Sequence, residues 1–403
     1  MTYRELLACY KNGTLEDTQK AKVESDIERQ EAIADYLYEK EEIPPLDGWE
    51  GQDQASQEPD IKTIQKAIHR AFVRMGVIVG AVVFAIMLVV VFVLPQAVSL
   101  FYYNPNECVG NQKNQTVNTS RMSLDLAVYS EMFLPGAYRN CVNASAKGYG
   151  AYDISIPQVV SYTGRGTTVN GTLVRGTLKL YNTDVLKAPA GNVFVMQQEL
   201  EEHLPIRYAD EETKENWGAA GTKKEADQAI DQLDGSGVYA AFVSLEHLMD
   251  YADFYAWMNE QDDRSAIWCA VYLSDENGDM CSGTSNMGMQ IQASGGMLDW
   301  DRDRYPYLQG LDSQDSNAWD LAEDPEKMQT HFLSMLRYLN DHPAIMEMLH
   351  GPQFSRQDYE AMTASIKRDG IRIYGFYTVG KKKTLKALRK LPEVSYIYTT
   401  QPE

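Results

Sequence analysis

Positive charge is scarce in this chain: 37 Lys and Arg stand against 57 Asp and Glu, a formal net charge of −20. A surface built to neutralise phosphates needs the opposite balance, which excludes nucleic-acid binding as its main business. Histidine is rare too. His69, His203, His247, His331, His342 and His350 are scattered, and a lone histidine of this kind reads as a structural or surface residue rather than a metal ligand. The nucleophile elbow GxSxG, the zinc motif HExxH, a P-loop and a GxGxxG at a strand-to-helix junction are all missing. The chain is therefore expected to be no enzyme, and to need neither cofactor nor metal. Asp299-Trp-Asp-Arg-Asp303 opens like a calcium loop, but Arg304 stands where that loop needs Gly and Gly310 where it needs Glu. It reads as a solvated acidic loop.

Of five cysteines, Cys9 precedes the one long apolar run and Cys108, Cys141, Cys269 and Cys281 follow it. Four can form two disulfides in three connectivities. Pairing of neighbours, Cys108 with Cys141 and Cys269 with Cys281, is one expectation, and four unpaired buried thiols is the other.

Strongly hydrophobic sequence occurs once, at residues 75–94 (MGVIVGAVVFAIMLVVVFVL). Twenty uncharged residues at a rise of about 1.5 Å each cross the roughly 30 Å hydrocarbon core. A polar head of 74 residues precedes the run, so it reads as a permanent anchor rather than a cleaved signal. Lys62, Lys66, Arg70 and Arg74 crowd its near side, while the far side passes Phe101, Tyr102 and Tyr103 before its first charge at Glu107. The expected topology is a single-pass cell-membrane protein, N-terminus cytoplasmic and bulk extracytoplasmic, with an interfacial aromatic belt. Gly76 and Gly80 form a GxxxG spacing through which two spans could dimerise.

Residues 1–42 carry two helical patterns. YRELLACY presents Leu6, Leu7 and Tyr10, Asn12-Gly13 ends the first helix, and Thr14 with Asp17 has capping-box spacing for the second. That second helix sets Val23, Ile27, Ala34 and Leu37 on one stripe, with Glu24, Glu28 and Glu31 among the acidic residues around it. Residues 1–60 hold six Lys/Arg against sixteen Asp/Glu. Such acidity suits a basic partner or a solvated charge run.

Residues 43–60 read as a flexible acidic linker, 61–74 as a juxtamembrane helix and 75–100 as the span. Residues 101–198 form a first unit of a helix (123–133) and strands, 199–235 a second linker, and 236–403 a C-terminal α+β domain. In that last domain 238–243 is an expected strand, Ser244 an N-cap for a helix bearing Leu248, Met249 and Trp257, and 326–349 a helix with Phe332, Met335, Leu336 and Leu339 on its core face. The fold class is thus a small all-α head, one transmembrane helix and an α+β extracytoplasmic region in two units.

The head resembles the antisigma domain of membrane-bound regulators of extracytoplasmic-function sigma factors. Leu7-Ala-Cys-Tyr10-Lys-Asn-Gly13-Thr-Leu15 follows the L-x-x-Y-x-x-G-x-L of zinc-containing members, and Val23-Glu24 opens their V-E-x-H-x-x-x-C-x-x-C helix. Asp26, Gln30 and Ile33 then stand where His and the two Cys would be, so the resemblance implies a zinc-free version. GYGAYDISIPQ, GTLVRGTL, VYAAFVSL, HFLSMLRYL, IRIYGFYTVG and LRKLPEV are similar to the sigma factor regulator regions of Gram-positive anti-sigma proteins of the regulator of sigma-M type. The resemblance implies a head that masks a sigma factor from RNA polymerase core, with Leu6, Leu7, Tyr10, Val23, Ile27 and Leu37 as apolar contacts and Glu24, Glu28 and Glu31 as rim charge. The outer region would sense a signal or dock a second membrane or envelope protein. An envelope ligand receptor, or an adaptor whose head is merely topogenic, is the alternative.

Overall fold

The computed structural model describes residues 3–40, 61–110, 119–138, 141–160, 166–181, 193–195, 218–261, 266–278, 280–281, 284, 286–291, 298–309, 318–351 and 359–400. The expected linker at 43–60 and His203 lie outside these. The chain divides into two compact units, Met1–Val79 and Gly80–Glu403.

In the first unit α1 (Tyr3–Lys11) is followed by α2 (Asp17–Lys40). Gly13 adopts φ +68°, and its N–H reaches the Tyr10 carbonyl at 3.2 Å, closing α1 as the Asn-Gly pair implies. Thr14 does not cap α2. Its N–H and hydroxyl both donate to the Cys9 carbonyl, at 3.1 and 3.2 Å, so Thr14 belongs to the end of α1, and the Glu16 carbonyl receives the first N–H groups of α2.

Helix α3 (Ile61–Leu88) runs on through one π turn (Val89–Val93) into α4 (Leu94–Ser99). Among the described residues, Ile68–Ser99 is the helix long and apolar enough to cross a membrane, and it has no buried face.

Two antiparallel sheets organise the rest. The first holds β1 (Ala137–Tyr138), β2 (Asn143–Gly148), β3 (Ala151–Val160), β4 (Gly166–Val174) and β5 (Thr177–Leu180); β3 pairs with β1 and β2 on one side and with β4 on the other. The second sheet has the order β10-β6-β9-β7-β8, from β6 (Val238–Asp250), β7 (Ala266–Val271), β8 (Gly288–Gln290), β9 (Arg372–Lys381) and β10 (Val394–Thr400). Its strands read as continuous apolar runs because both faces are covered. Ala241, Val243, Cys269, Val271 and Phe376 face the main core, while Ala240, Phe242, Trp268 and Tyr374 pack against Phe194.

Helix α5 (Arg121–Phe133) is the hub, capped by Ser120 and buried from Met122 onward on every face. It contacts both sheets and the helices α8 (Pro325–Asp341) and α9 (Ala344–His350). One hydrophobic core therefore runs through residues of both expected units, 101–198 and 236–403. Helix α6 (Lys223–Gln232) occupies part of the expected linker at 199–235, held by a complete capping box between Thr222 and Glu225.

Two further expectations are corrected. Ser244 is no cap: β6 continues through a register shift to Asp250, carrying Leu248 and Met249, and α7 (Tyr251–Glu260) starts only there. The Ser244 hydroxyl instead accepts the Val195 N–H at 2.9 Å. The helix expected over 326–349 is two, α8 and α9, divided at His342-Pro343 because proline has no N–H to continue the ladder. Phe332, Met335, Leu336 and Leu339 all lie fully buried on α8. Helices α10 (Tyr359–Asp369) and α11 (Lys382–Leu388) flank β9.

Leu336→Ala leaves a cavity in this closed core and is expected to lower stability by about 2–5 kcal/mol. Urea unfolding of the solubilised chain checks it, with exposed Lys367→Ala as the unchanged reference.

Candidate functional site

On the head, Leu7 from α1 and Asp26, Ile27, Arg29, Gln30, Glu31 and Ile33 from α2 line an open groove of about 590 Å³. Residues 26, 30 and 33 recur at helical spacing and so share one face. These are the positions where zinc-binding relatives would carry ligands; here Asp26, Gln30 and Ile33 form a groove wall. Ile33 is 53 % exposed and Leu7 36 % exposed, a large apolar allowance for so small a unit.

The structure sorts the residues expected to touch a partner. Val23 is buried at 2 % exposure and belongs to the head's own core. Tyr10 donates its hydroxyl to Glu24 at 3.1 Å, and that bond raises the Tyr10 phenol pKa. Leu7, Ile27 and Glu31 line the groove; Glu28 is exposed outside it. The side chains of Leu6 and Leu37 lie outside the described residues. Ile33, which the zinc-motif comparison places at a ligand position, is instead an exposed apolar side chain of the groove.

In the second unit, α5 offers polar side chains at successive turns, and each meets a partner. Arg121 donates to Glu107 at 2.7 Å and to His342 Nδ1 at 3.1 Å. Asp125 accepts the hydroxyls of Tyr103 and Tyr338, both at 2.6 Å. Tyr129 meets His350 Nε2 at 2.9 Å, and Glu131 meets His331 Nε2 at 2.7 Å. Burial lowers the pKa of His350; burial and then the Arg121 charge lower that of His342, so both suit the neutral acceptor form. For His331 burial acts downward, but the Glu131 charge and hydrogen bond outweigh it and the pKa rises, making a fully buried ion pair. Three histidines scattered in sequence thus converge on one helix. A separation of eleven residues between His331 and His342, about three helical turns, was the available signal.

A second, polar cavity of about 510 Å³ is lined by Tyr272, Ser274, Asn277, Arg368, Asp369 and Arg372 among others. Asp369 pairs with both arginines, at 2.6 and 3.3 Å, and the Arg368 hydrogen bond lowers its pKa. Arg368 and Arg372 thus share the one carboxylate of Asp369, and Arg372 Nε is buried with no hydrogen-bond partner. Among the described residues no three His, Cys, Asp or Glu side chains converge as metal ligands.

Gly76 and Gly80 stand open on their helix, with nothing within 4 Å of an added Cβ. Neither expected disulfide is formed. Cys269 is buried in β7, and Cys281, whose N–H donates to the Leu273 carbonyl at 2.8 Å, is likewise a free cysteine. Cys108 and Cys141 are both exposed and unlinked, Cys108 bridged to Ser120 and Cys141 beside Val142, whose N–H is held by Ser123.

Burial pushes the Asp125 carboxyl from 3.8 up to about 6, against the pull of the two tyrosine hydroxyls and Arg121. The folded state then binds the proton more tightly than the unfolded chain. The stability this supplies is complete below the unfolded value and is lost as pH rises to about 6, a change of about 3 kcal/mol. Asp125→Asn cannot ionise, so from pH 4 to 7 its urea-unfolding free energy should gain on the parent's by about that amount. Parallel profiles would refute the assignment.

Residues 230–398 match the family model described as sigma factor regulator C-terminal. No curated protein and no solved structure matches the chain. The matched region takes in the strands of the second sheet and the helices α8 and α9 that clasp α5, and in this part the chain is similar to the C-terminal region of sigma factor regulators.

Proposed function

We propose that the chain is a single-pass membrane anti-sigma factor whose head, on the cytoplasmic side, sequesters an extracytoplasmic-function sigma factor. The observation that carries this reading is the groove on α1 and α2: a chain with a sigma factor regulator C-terminal region exposes Leu7 and Ile33 on an acidic two-helix head. A basic, apolar sigma helix fits such a surface, burying the two side chains while Glu31 and the surrounding carboxylates steer its approach. The four basic residues between 62 and 74 favour retention of the head in the cytoplasm. The region beyond the span then serves as sensor or docking surface, and the open Gly76 and Gly80 offer a seam for pairing two spans. The receptor reading rests on the Tyr272–Arg368–Arg372 cavity, in which both arginines are turned onto Asp369.

Leu7→Asp and Ile33→Asp should each weaken capture of the sigma factor by the solubilised full chain at least tenfold, about 1.4 kcal/mol, with Glu28→Ala near neutral. Titration with the purified sigma factor measures this. Deleting residues 1–42 in the host should release a sigma-dependent regulon, and an unchanged transcript profile would sink the proposal.

A further inference from the structure

The helix Ile68–Ser99 has a defect near its far end that the first sheet repairs. The Leu94 N–H bonds back to Val89 across the π turn. The next N–H in the ladder, which would serve Val90, is missing because residue 95 is proline. An unserved carbonyl is not tolerated in hydrocarbon. Here the Tyr149 hydroxyl donates to Val90 O at 2.8 Å.

Tyr149 sits at the tip of the β2–β3 hairpin, in the sequence Gly148-Tyr149-Gly150. All three residues have positive φ, +88°, +54° and +72°, so a non-glycine residue is held in the left-handed region to deliver that hydroxyl. The flanking glycines permit the approach. A Cβ on Gly148 would stand 3.2 Å from Pro95 and one on Gly150 would stand 3.0 Å from Tyr102. The Gly150 N–H also donates to Ser99 Oγ at 2.9 Å. The β4–β5 turn lies alongside, tied by Arg175 N–H to Gly150 O at 2.8 Å.

Depth follows from the helix. Val90 lies four residues, about 6 Å, inside the end of the strongly apolar run at Leu94. A side chain bonded to Val90 O is therefore below the hydrocarbon boundary. Exposed apolar groups gather at the same end, Val174 beside the tip and Leu100 and Phe101 just past the helix, the last two 86 % and 85 % exposed; the exposed Arg175 next to Val174 has a side chain long enough to keep its charge among the headgroups. Water is a poor solvent for that set and the lipid interface a good one.

We infer that the tips of the β2–β3 and β4–β5 hairpins are inserted into the outer leaflet of the bilayer around the span, with Tyr149 and Val174 among the lipid and Tyr149 bonded to the helix. The inference rests on the proposed reading of residues 68–99 as a membrane span. It gives the first sheet a function of its own: an anchor by which the extracytoplasmic region is fixed to the helix at a set depth.

The test places one nitroxide at a time on the full chain in phosphatidylethanolamine/phosphatidylglycerol vesicles, with Cys9, Cys108, Cys141 and Cys281 replaced by Ser and buried Cys269 kept. Collision with dioxygen, which prefers lipid, is compared with collision with water-soluble nickel ethylenediaminediacetate. Labels at Tyr149→Cys and Val174→Cys should give an oxygen-to-nickel ratio several-fold above that of a label at exposed Glu326→Cys and approaching that at Val83→Cys in mid-span. The Val174 label leaves Tyr149 intact and decides alone if the Tyr149 variant fails to fold. Tip labels at the Glu326 value, with Val83 lipid-like, overturn the insertion and leave the span standing. A Val83 label as wet as Glu326 overturns both.

Discussion

A helix buried on every face cannot leave a charge unpaired, and α5 carries Asp125 and Glu131 into the centre of the second unit, with Arg121 half-buried at its start. Each burial is costly unless a partner is fixed within hydrogen-bond reach. The partners come from three directions. Tyr103 and Glu107 arrive from the segment after the apolar helix, His331, Tyr338 and His342 from α8 and its end, and His350 from α9. Satisfying α5 therefore positions the segment after the apolar helix against the regulator region. The Tyr103–Asp125–Tyr338 bridge is the shortest such link, joining residues 235 positions apart through one carboxylate.

The same economy of polar groups governs the helix itself. Pro95 removes one N–H, the π turn draws another away, and a tyrosine from a distant hairpin supplies the missing donor. At the head the logic is inverted. Polar satisfaction is local there, as in the Tyr10–Glu24 bond, and the surplus is apolar: Leu7 and Ile33 stand exposed at the groove. A small head with one fully buried apolar side chain among its described residues, Val23, has little core of its own.

Much of this was legible beforehand. The apolar run of the membrane-length helix, the Asn-Gly stop after α1, and the strands of the second sheet follow from periodicity and turn chemistry that act within a few residues. The misses share a cause. Ser244 has the chemistry of an N-cap but lies in a strand, because β6 is paired on both sides by β9 and β10 and its hydroxyl is claimed by Val195. The break at Pro343 and the capping box at Thr222 were local and readable, and the helical pattern and charged composition around them drew the reading elsewhere. In the candidate groove, Leu7 belongs to the apolar positions of α1, Ile27 to the stripe of α2 and Glu31 to the acidic residues around that stripe, whereas Val23 is buried in the head's own core and Ile33 lines the groove. Which side of a narrow stripe faces the neighbouring helix depends on the crossing of α1 and α2, and that is not written in either one.

The sequence by itself determined the length and apolarity of the membrane-length helix, the acidity of the head and the strand runs of the α+β region, since each depends on composition or on neighbours a turn or a pleat away. Only the tertiary structure decided that three scattered histidines serve one helix, that four cysteines remain thiols, and that a tyrosine 59 residues on completes the Val90 carbonyl. Those outcomes depend on which groups are brought within about 3 Å of each other, and local propensity carries no information about partners so far apart in the chain.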